Sequence, residues 1–527
     1  MYFCVYQHGT WFYASINNTS SMKIKYLLIV LAMVAITKTG FAQFSQDVLR
    51  YSLSEPGATA RIKAIGNAGT AIGGDLSSVS GNPAGIGFFT HTEGSITPEF
   101  NSTGVNGTYL GQSTNSNSNT LNFNNASVVF YSKLNTPAGT DKGKGWLSLN
   151  FGVGYNRSSD FYENINYQGT NKSNSITNYF ADLANTQGVD PNGNGGSLQD
   201  FAYSNGLIDL YSSGGYLSNV FNTGHGAPNQ PVIQSDNTIR QGGQTEFSFA
   251  VGGNYSNKLY LGAGLGVANI RYTLSQTFNE IGSANILDQN NNPVVANFNS
   301  SYSQVESTNG TGFNLRAGFI YKPIDEIRIG GSFTSPTWYT MQDDYAEGLT
   351  TVYSGGAVGT AVSGPSDYQT TYSFHTPLRV SGGVAVFLGH SGFITGDIEY
   401  VDYSSIRTST GDGYPAANVS ADNHDIQTNY KSTANIHVGG ELKLESDLYL
   451  RAGYGIQGDP VKNYGTNINT ISGGIGYRFL AYYIDLTYTN VNGTQQVSPY
   501  TINAGGAPVA SLNKTSNNAF VTFGMKF

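Results

Sequence analysis

The last ten residues of the chain, 518–527, alternate between two chemical faces and end in phenylalanine. Successive side chains of an extended strand point to opposite sides, so this alternation predicts a β-strand with one apolar face. The apolar face carries Ala519, Val521, Phe523, Met525 and Phe527, and the other face carries Asn518, Thr522, Gly524 and Lys526. A last strand that ends in phenylalanine is typical of the assembly signal of bacterial outer-membrane β-barrels.

Six upstream segments repeat the alternation, at residues 313–319, 378–386, 394–400, 436–444, 448–454 and 482–488. In each segment the charged side chains lie opposite the apolar ones. A charge near the middle of a bilayer costs roughly 2–4 kcal/mol, so we expect the apolar faces to contact lipid and the charges to face the lumen. The candidate lumen residues are Arg316, Arg328, Arg379, Asp397, Glu399, His437, Glu441, Arg451 and Asp485.

The alternation alone also fits a soluble β-sandwich, whose apolar faces turn inward. Charged residues make up only 11% of the 527 residues, while Gly and Tyr number 67 and 36. No apolar run in the body of the chain approaches the ~20 residues of a spanning helix. Together with an export signal and the terminal phenylalanine, this composition favours one all-β transmembrane barrel.

About 14 antiparallel strands are predicted, joined by alternating tight turns and long polar loops. An even strand number with short periplasmic turns and long outer loops is the bacterial barrel pattern, and it places both chain ends on the periplasmic side. The predicted strands are 92–101, 122–133, 146–157, 246–256, 259–274, 302–321, 326–341, 370–388, 392–404, 432–444, 447–457, 468–479, 481–491 and 518–527.

Residues 22–42 have the pattern of a secretory signal peptide. Lys23 and Lys25 precede an apolar core at 26–36, and small residues stand before Gln43. Such a core is too short to span a bilayer. We interpret residues 1–21 as a start codon assigned too far upstream, with a genuine extension as the alternative.

Charge and cysteine usage exclude several function classes. The first 42 residues carry three lysines and no acidic residue, so the exported chain falls from a net charge of −8 to −11. Nucleic-acid binding needs a basic face and is not expected. The single cysteine, Cys4, precedes the signal, so neither disulfides nor a cysteine-based metal site is predicted. A calcium-like start at Asp190 has Phe201 where a bidentate glutamate belongs, and we predict no metal and no cofactor there.

Residues 55–89 form a compact segment rich in glycine and alanine ahead of the first strand. Its dense turn is Asn82-Pro83-Ala84-Gly85, in which proline fixes φ and asparagine can bond nearby backbone. Downstream, the mid-strand glycines Gly262, Gly264 and Gly266 predict close approach of another backbone, since glycine carries no side chain.

These residues carry a resemblance to a known family. The motifs are Leu49-Arg50-Tyr51-Ser52, Pro56-Gly57-Ala58-Thr59-Ala60-Arg61, Gly73-Gly74-Asp75 and Asn82-Pro83-Ala84-Gly85. Together they resemble the FadL/TodX (OMPP1) family of outer-membrane transporters for hydrophobic compounds, in the form found in the Bacteroidetes. The resemblance implies a mainly helical or irregular N-terminal hatch at 43–90, plugging a 14-stranded barrel formed by 91–527.

The long insert at 158–245 stands out among the loops. By resemblance it could form a cap with an apolar capture groove at the outer mouth, built from Phe180, Leu183, Phe201, Leu207, Leu210 and Tyr211. The alternative is a surface loop packed on itself. Loops of this length are usually functional or disordered, and this one is too aromatic for disorder.

The resemblance implies passive transport of long-chain fatty acids or aromatic hydrocarbons by a monomer in the outer membrane of a Gram-negative bacterium. The alternative is a FadL-like barrel that docks exported proteins in secretion. No enzyme is predicted, because no Ser–His pair can be placed. Asp397 and Glu399 share one face and could act as an acid–base pair, but neutralisation by Arg316, Arg328, Arg379 or Arg451 is preferred.

Overall fold

A computed structural model describes residues 42–527, except 136–140, 142, 191, 193–194, 212–213, 222–229, 288–292, 355–359, 445–446 and 463–464. The possible upstream extension at 1–21 and the signal peptide up to residue 41 lie outside the described residues. So does part of the calcium-like segment that follows Asp190.

Fourteen antiparallel crossings close a barrel in which β1 pairs with β20, which confirms the predicted fold. The first strands are β1 Glu93–Tyr109, β2 Gln112–Phe130, β3 Trp146–Asp160, β4 Glu163–Asn171, β5 Ile208–Leu210, β6 Tyr216–Ser218, β7 Val232–Tyr255, β8 Leu259–Leu287, β9 Pro293–Ile324 and β10 Ile327–Thr334. The others are β11 Trp338–Tyr353, β12 Thr360–His375, β13 Arg379–Phe387, β14 Gly392–Asp402, β15 Arg407–Ser409, β16 Ser432–Lys443, β17 Leu448–Gln457, β18 Ile468–Phe479, β19 Tyr482–Val497 and β20 Ala510–Lys526.

Four of the crossings consist of two strands each: β3 with β4, β10 with β11, β12 with β13, and β14 with β15. The predictions of single strands at 326–341 and 370–388 are therefore wrong. Pro336 and Pro377 stand at the interruptions between β10 and β11 and between β12 and β13. Proline has no N–H to donate to a ladder, so the ladder breaks where it occurs.

The predicted strands end correctly at the periplasmic turns but stop too early at the outer side. The strand predicted at 246–256 begins at Val232, and the one predicted at 259–274 continues to Leu287. The insert is correspondingly shorter than 158–245, because β4 and half of β7 lie within it. Beyond the membrane both faces of a strand meet water, so the apolar alternation that reveals the strand fades.

The two faces of the wall have the predicted character. Side chains such as Phe313 and Ile398 point outward and are about half exposed, whereas Arg451 and Asp485 point inward and are buried. Among the described helices, none combines the length and apolar composition needed to cross a bilayer.

The hatch lies inside the lumen. It contains α1 Ala42–Ser52, α2 Ala60–Ala64 and two short 3₁₀ turns, Leu76–Val79 and Pro83–Phe88. The wall residues that hydrogen-bond to hatch backbone are spread around the ring and include Asn150, Thr395, Ser472, Thr487 and Thr522. Because these partners lie on five different strands, the hatch sits inside the barrel.

A packed cap covers the outer ends of several strands. It consists of α3 Ile176–Gln187, α4 Leu198–Ser204 and the β5–β6 hairpin, which share one apolar cluster with β8, β9 and β11. A second outer loop carries α5 Ala416–Asn429. Tyr430, just after α5, donates a hydrogen bond to the carbonyl of Ser45 on α1.

A substitution at Gly453 on β17 tests how closely the hatch packs against the wall. A Cβ there would lie 2.2 Å from the amide nitrogen of Gly66 in the hatch. We expect Gly453→Ala to displace the hatch and raise ion conductance in planar bilayers by about tenfold, since a close-packed contact cannot absorb the overlap. Gly382→Ala, where a Cβ meets nothing within 4 Å, is the control. Equal conductance in the two variants would contradict this placement.

Candidate functional site: the lumen and its hatch

The Asn82–Gly85 turn ties the hatch to the wall. Asn82 Nδ2 donates to the carbonyls of Thr70 (2.7 Å) and Phe319 (3.2 Å), and Asn82 Oδ1 accepts from the N–H of Ala84 (3.1 Å). Gly262 faces the turn, where a Cβ would lie 2.3 Å from the carbonyl carbon of Pro83. One asparagine therefore joins two parts of the hatch to β9, at a point where a glycine on β8 permits contact with backbone.

An ion chain runs from the hatch across three strands. Arg61 bonds to both carboxylate oxygens of Glu441 (2.8 and 3.1 Å), and Arg451 lies 2.6 Å from Glu441 and 2.6 Å from Asp485. Burial alone would lower the pKa of Arg61, but the carboxylates of Glu441 and Asp75 raise it above its usual value. The chain therefore fixes one hatch arginine between wall carboxylates.

Three further predicted residues also hold the hatch. Asp397 accepts from the Thr70 N–H at 2.8 Å, and His437 Nδ1 lies 2.7 Å from the carbonyl of Gly66. Arg328 donates to a hatch carbonyl and lies between two phenyl rings, those of Phe88 in the hatch and Phe387 on β13, at 4.4 and 4.1 Å. Such stacking on aromatic faces favours a guanidinium.

The remaining predicted residues form ion pairs. Arg316 makes two bonds to Glu246 at 2.5 and 2.7 Å, and Arg379 lies 3.0 Å from Glu399 and donates to the carbonyl of Ser52. Asp397 and Glu399 thus have different partners, and only Glu399 is paired with a predicted arginine. Their geometry is that of structural anchors.

A cavity of about 170 Å³ lies between the end of α1 and the rest of the hatch. Its charged lining residues are Glu55, Asp75, Glu246, Arg316, Arg379, Asp397, Glu399 and His437. Burial would raise the pKa of Glu55, but the charges of Lys63, His437 and Arg379 lower it. Glu55 and Glu246 are not among the predicted lumen residues. Glu246 was detectable, because it is a carboxylate on the inner face of β7.

Above the cavity lies an apolar cluster of side chains, packed around α1, that we name the chamber. Its wall is formed by Phe161, Ile270, Tyr272, Tyr339, Met341, Tyr372 and Phe374, and α1 inserts Val48, Leu49 and Tyr51 into it. The Tyr51 ring lies about 6 Å from the rings of Phe161, Tyr272 and Phe374. All of these wall residues except Phe161 lie within predicted strands, at 259–274, 326–341 and 370–388. They were missed because the prediction of lumen residues used charged side chains only, although aromatic residues on an inner face were an available signal.

The hydrogen-bond ladder between β2 and β3 stops short of the outer end of β3, which leaves a break. Pairing of β2 with β3 covers Asn125 to Phe130 only, and the described part of β4 pairs with β7 alone. Hatch backbone occupies the break: Glu55 N–H donates to the carbonyl of Ser158 (3.0 Å), and Ala58 N–H donates to the side-chain oxygen of Asn124 (2.9 Å). We name residues 53–58, which fill this break, the gap segment.

Comparison with known proteins identifies the architecture. The sequence profile of a family described as outer membrane protein transport protein (OMPP1/FadL/TodX) matches residues 233–527, more than half of the chain. The chain belongs to this family. A search of curated proteins finds no match, so no individual relative adds to the assignment. The Bacteroidetes form stays a prediction.

Solved structures agree with the fold of this FadL/TodX family member. A Pseudomonas aeruginosa FadL homologue superposes with a TM-score of 0.54 at 12% identity, covering 90% of this chain and 99% of the other. The Pseudomonas putida toluene transporter TodX gives 0.50 at 15% identity, covering 90% of this chain and 100% of the other. At such identities the likeness establishes the fold alone.

The predicted outer capture groove is not formed in this family member. Phe180, Phe201 and Leu207 are buried in the cap core, and Leu183 packs against it. Of the other two, Leu210 is exposed and Tyr211 donates a hydrogen bond to Asn219. The prediction of an open groove from these six residues is wrong, because the cap buries its aromatic side chains against the extended ends of β8, β9 and β11.

Arg61→Gln tests the ion chain. It removes two charge-assisted bonds, each worth about 1.5–3 kcal/mol. We expect the free energy of opening α2 amides, measured by native-state hydrogen exchange, to fall by about 3 kcal/mol. Lys144→Gln removes an exposed pair with Asp141 in a periplasmic turn and serves as the control; such pairs contribute little. Unchanged protection of α2 in Arg61→Gln would show that the ion chain does not hold the hatch.

Proposed function

We propose that the protein carries hydrophobic small molecules passively across the outer membrane. The observation that supports this most is the continuity of three features: the aromatic chamber, the cavity beneath it and the hatch-filled break in the wall. Tyr339 lines both the chamber and the cavity, and Glu55 and Gly57 line the cavity beside the break. A ligand therefore meets one connected series of sites.

The chamber supplies the affinity. Apolar burial yields roughly 25 cal/mol per Å², so a ring enclosed by these aromatic walls gains several kcal/mol over water. The chamber is already filled by α1, whose Leu49 and Tyr51 occupy the apolar volume. Entry of a ligand therefore requires α1 to shift, and α1 leads directly into the gap segment.

The gap segment provides a sideways exit. Its backbone bonds to Ser158 and its Gly57 lies against the carbonyl of Asn124, where any Cβ would come within 2.4 Å. When this segment withdraws, the lumen opens between β2 and β3 toward the lipid. A hydrophobic ligand gains free energy by entering lipid rather than the aqueous periplasm, so lateral release needs no energy coupling.

The shared fold and the aromatic chamber both bear on the substrate class. The toluene transporter TodX shares this fold, and an aromatic chamber suits a compact ring as well as an acyl chain.

Docking of exported proteins gains no support from the described residues, because the packed cap covers the outer strand ends with an apolar core.

Cysteines at Glu55 and Ser158 test the exit. In a background that carries Cys4→Ser, a reversible bis-thiosulfonate reagent would bridge only this pair. We expect cells that produce the protein to accumulate 4-phenylbutan-1-ol faster than vector controls, and bridging to reduce uptake about tenfold by holding the gap segment in place. Reduction should restore uptake, and single-cysteine variants treated alike serve as controls.

Two outcomes would count against the proposal in different ways. Full uptake by the bridged protein would move the exit elsewhere. Uptake no faster than in vector controls, with the barrel folded in the outer membrane, would remove the transport function itself.

A further inference from the structure

The chamber is acidic as well as aromatic. Glu306 on β9 and Asp343 on β11 are both at least 95% buried. Thr308 Oγ1 lies 2.9 Å from Glu306 Oε1 and 2.7 Å from Asp343 Oδ1, so one hydroxyl links the two carboxyl groups. A third buried carboxylate, Asp47, enters from α1. Burial raises the pKa of Asp47, and its ion pair with Arg50 opposes that effect.

The chamber already holds a cation. The guanidinium of Arg50 lies 4.7 Å from the ring centroid of Tyr272 and 2.5 Å from Asp47 Oδ1, and its charge also acts on Glu306. Attraction between a cation and an aromatic face strengthens when both are removed from water. The position of Arg50 thus shows that this part of the chamber accommodates a cation.

Two phenol groups in the chamber have unused hydrogen-bonding capacity. The hydroxyls of Tyr51 and Tyr272 are buried and find no hydrogen-bond partner among the described residues. Both interact electrostatically with Asp47 and Glu306, which places them beside the carboxylates. Buried polar groups are normally hydrogen-bonded, so the hydroxyl of Tyr272, which stays on the wall when α1 shifts, points to a polar group on the ligand.

The lumen arginines offer a carboxylate ligand no comparable partner. The lumen arginines Arg61, Arg316, Arg379 and Arg451 are paired with acidic residues. Arg328 is held between two rings by the hatch. Near the chamber, Arg240 and Lys514 are both paired with Glu163, and Asp422 on α5 adds another carboxyl group, bonded to Tyr414. An anionic head group would therefore face mainly carboxyl groups.

We propose that the chamber recognises a protonated amine carried on an apolar body, bound where the Arg50 guanidinium now lies. The ammonium group sits over Tyr272 between Glu306 and Asp343, and the apolar body replaces α1 side chains against the aromatic wall. This inference rests on the proposed transport function and narrows its substrate class. The competing interpretation is that Arg50 and the carboxyl groups only fix α1.

Three matched probes separate these interpretations: 4-phenylbutylamine, 4-phenylbutan-1-ol and 4-phenylbutyrate. They share one apolar body and differ in head-group charge. Binding to the purified barrel in non-ionic detergent at pH 8 is measured by equilibrium dialysis against a detergent blank, which removes micelle partitioning. We expect the amine to bind about tenfold more tightly than the alcohol, and the carboxylate more weakly than either, because like charges repel at close range.

Variants test whether the preference for the amine arises in the chamber. In Glu306→Gln and Asp343→Asn, affinity for the amine should fall about tenfold more than affinity for the alcohol. Binding of the alcohol also shows that the chamber is folded in these variants. Arg50→Met removes the competing cation and should strengthen amine binding. Asp367→Asn, an exposed carboxylate on β12, is the matched control and should leave the amine preference unchanged.

Equal binding of the three probes, or an amine preference that survives both chamber variants, would overturn the inference and leave the transport function standing. Failure of all three probes to bind the wild-type barrel would count against both.

Discussion

Backbone N–H and C=O groups inside a bilayer must find partners within the protein, since lipid offers none. The barrel meets this constraint by closing β1 onto β20, except where the ladder between β2 and β3 stops. At that break, the hatch provides one backbone partner, the Glu55 N–H for the carbonyl of Ser158, and its Ala58 N–H bonds to the side-chain oxygen of Asn124. One segment therefore both blocks the lumen and completes the wall, so a movement that opens one opens the other.

The hatch is held by polar contacts at close range. Asn82, Arg61 and Thr70 bond to the wall, and glycines on the wall let hatch backbone approach. Buried ion pairs roughly break even against apolar replacements because desolvation offsets the attraction. Such contacts specify one position without adding a large net stability, which suits a plug that must stay in register and still move when a ligand shifts α1.

The barrel and its orientation could be predicted because charge is excluded from lipid: Arg451 and Asp485 had to lie opposite the apolar residues of their strands. The prediction failed where that constraint ends. Beyond the membrane β8 continues to Leu287 with polar residues on both faces, and Phe180 and Leu207 proved to be core rather than groove. The break at β2–β3 was not predictable, since Gly57 and Asn124 show their roles only once hatch and wall are in contact.

Charge is distributed unevenly along the lumen. Near the periplasmic end, arginines and carboxylates alternate in pairs, so the hatch region is close to neutral and polar. Near the outer end, the guanidinium of Arg50 is paired with Asp47 and acts on Glu306, and Asp343 lies beside Asp47. Because a buried charge is tolerated only beside a compensating one, whatever replaces Arg50 must bring its own positive charge or leave the carboxyl groups protonated. The polarity of the ligand is thus constrained by the residues that α1 covers, before the ligand reaches the rest of the hatch.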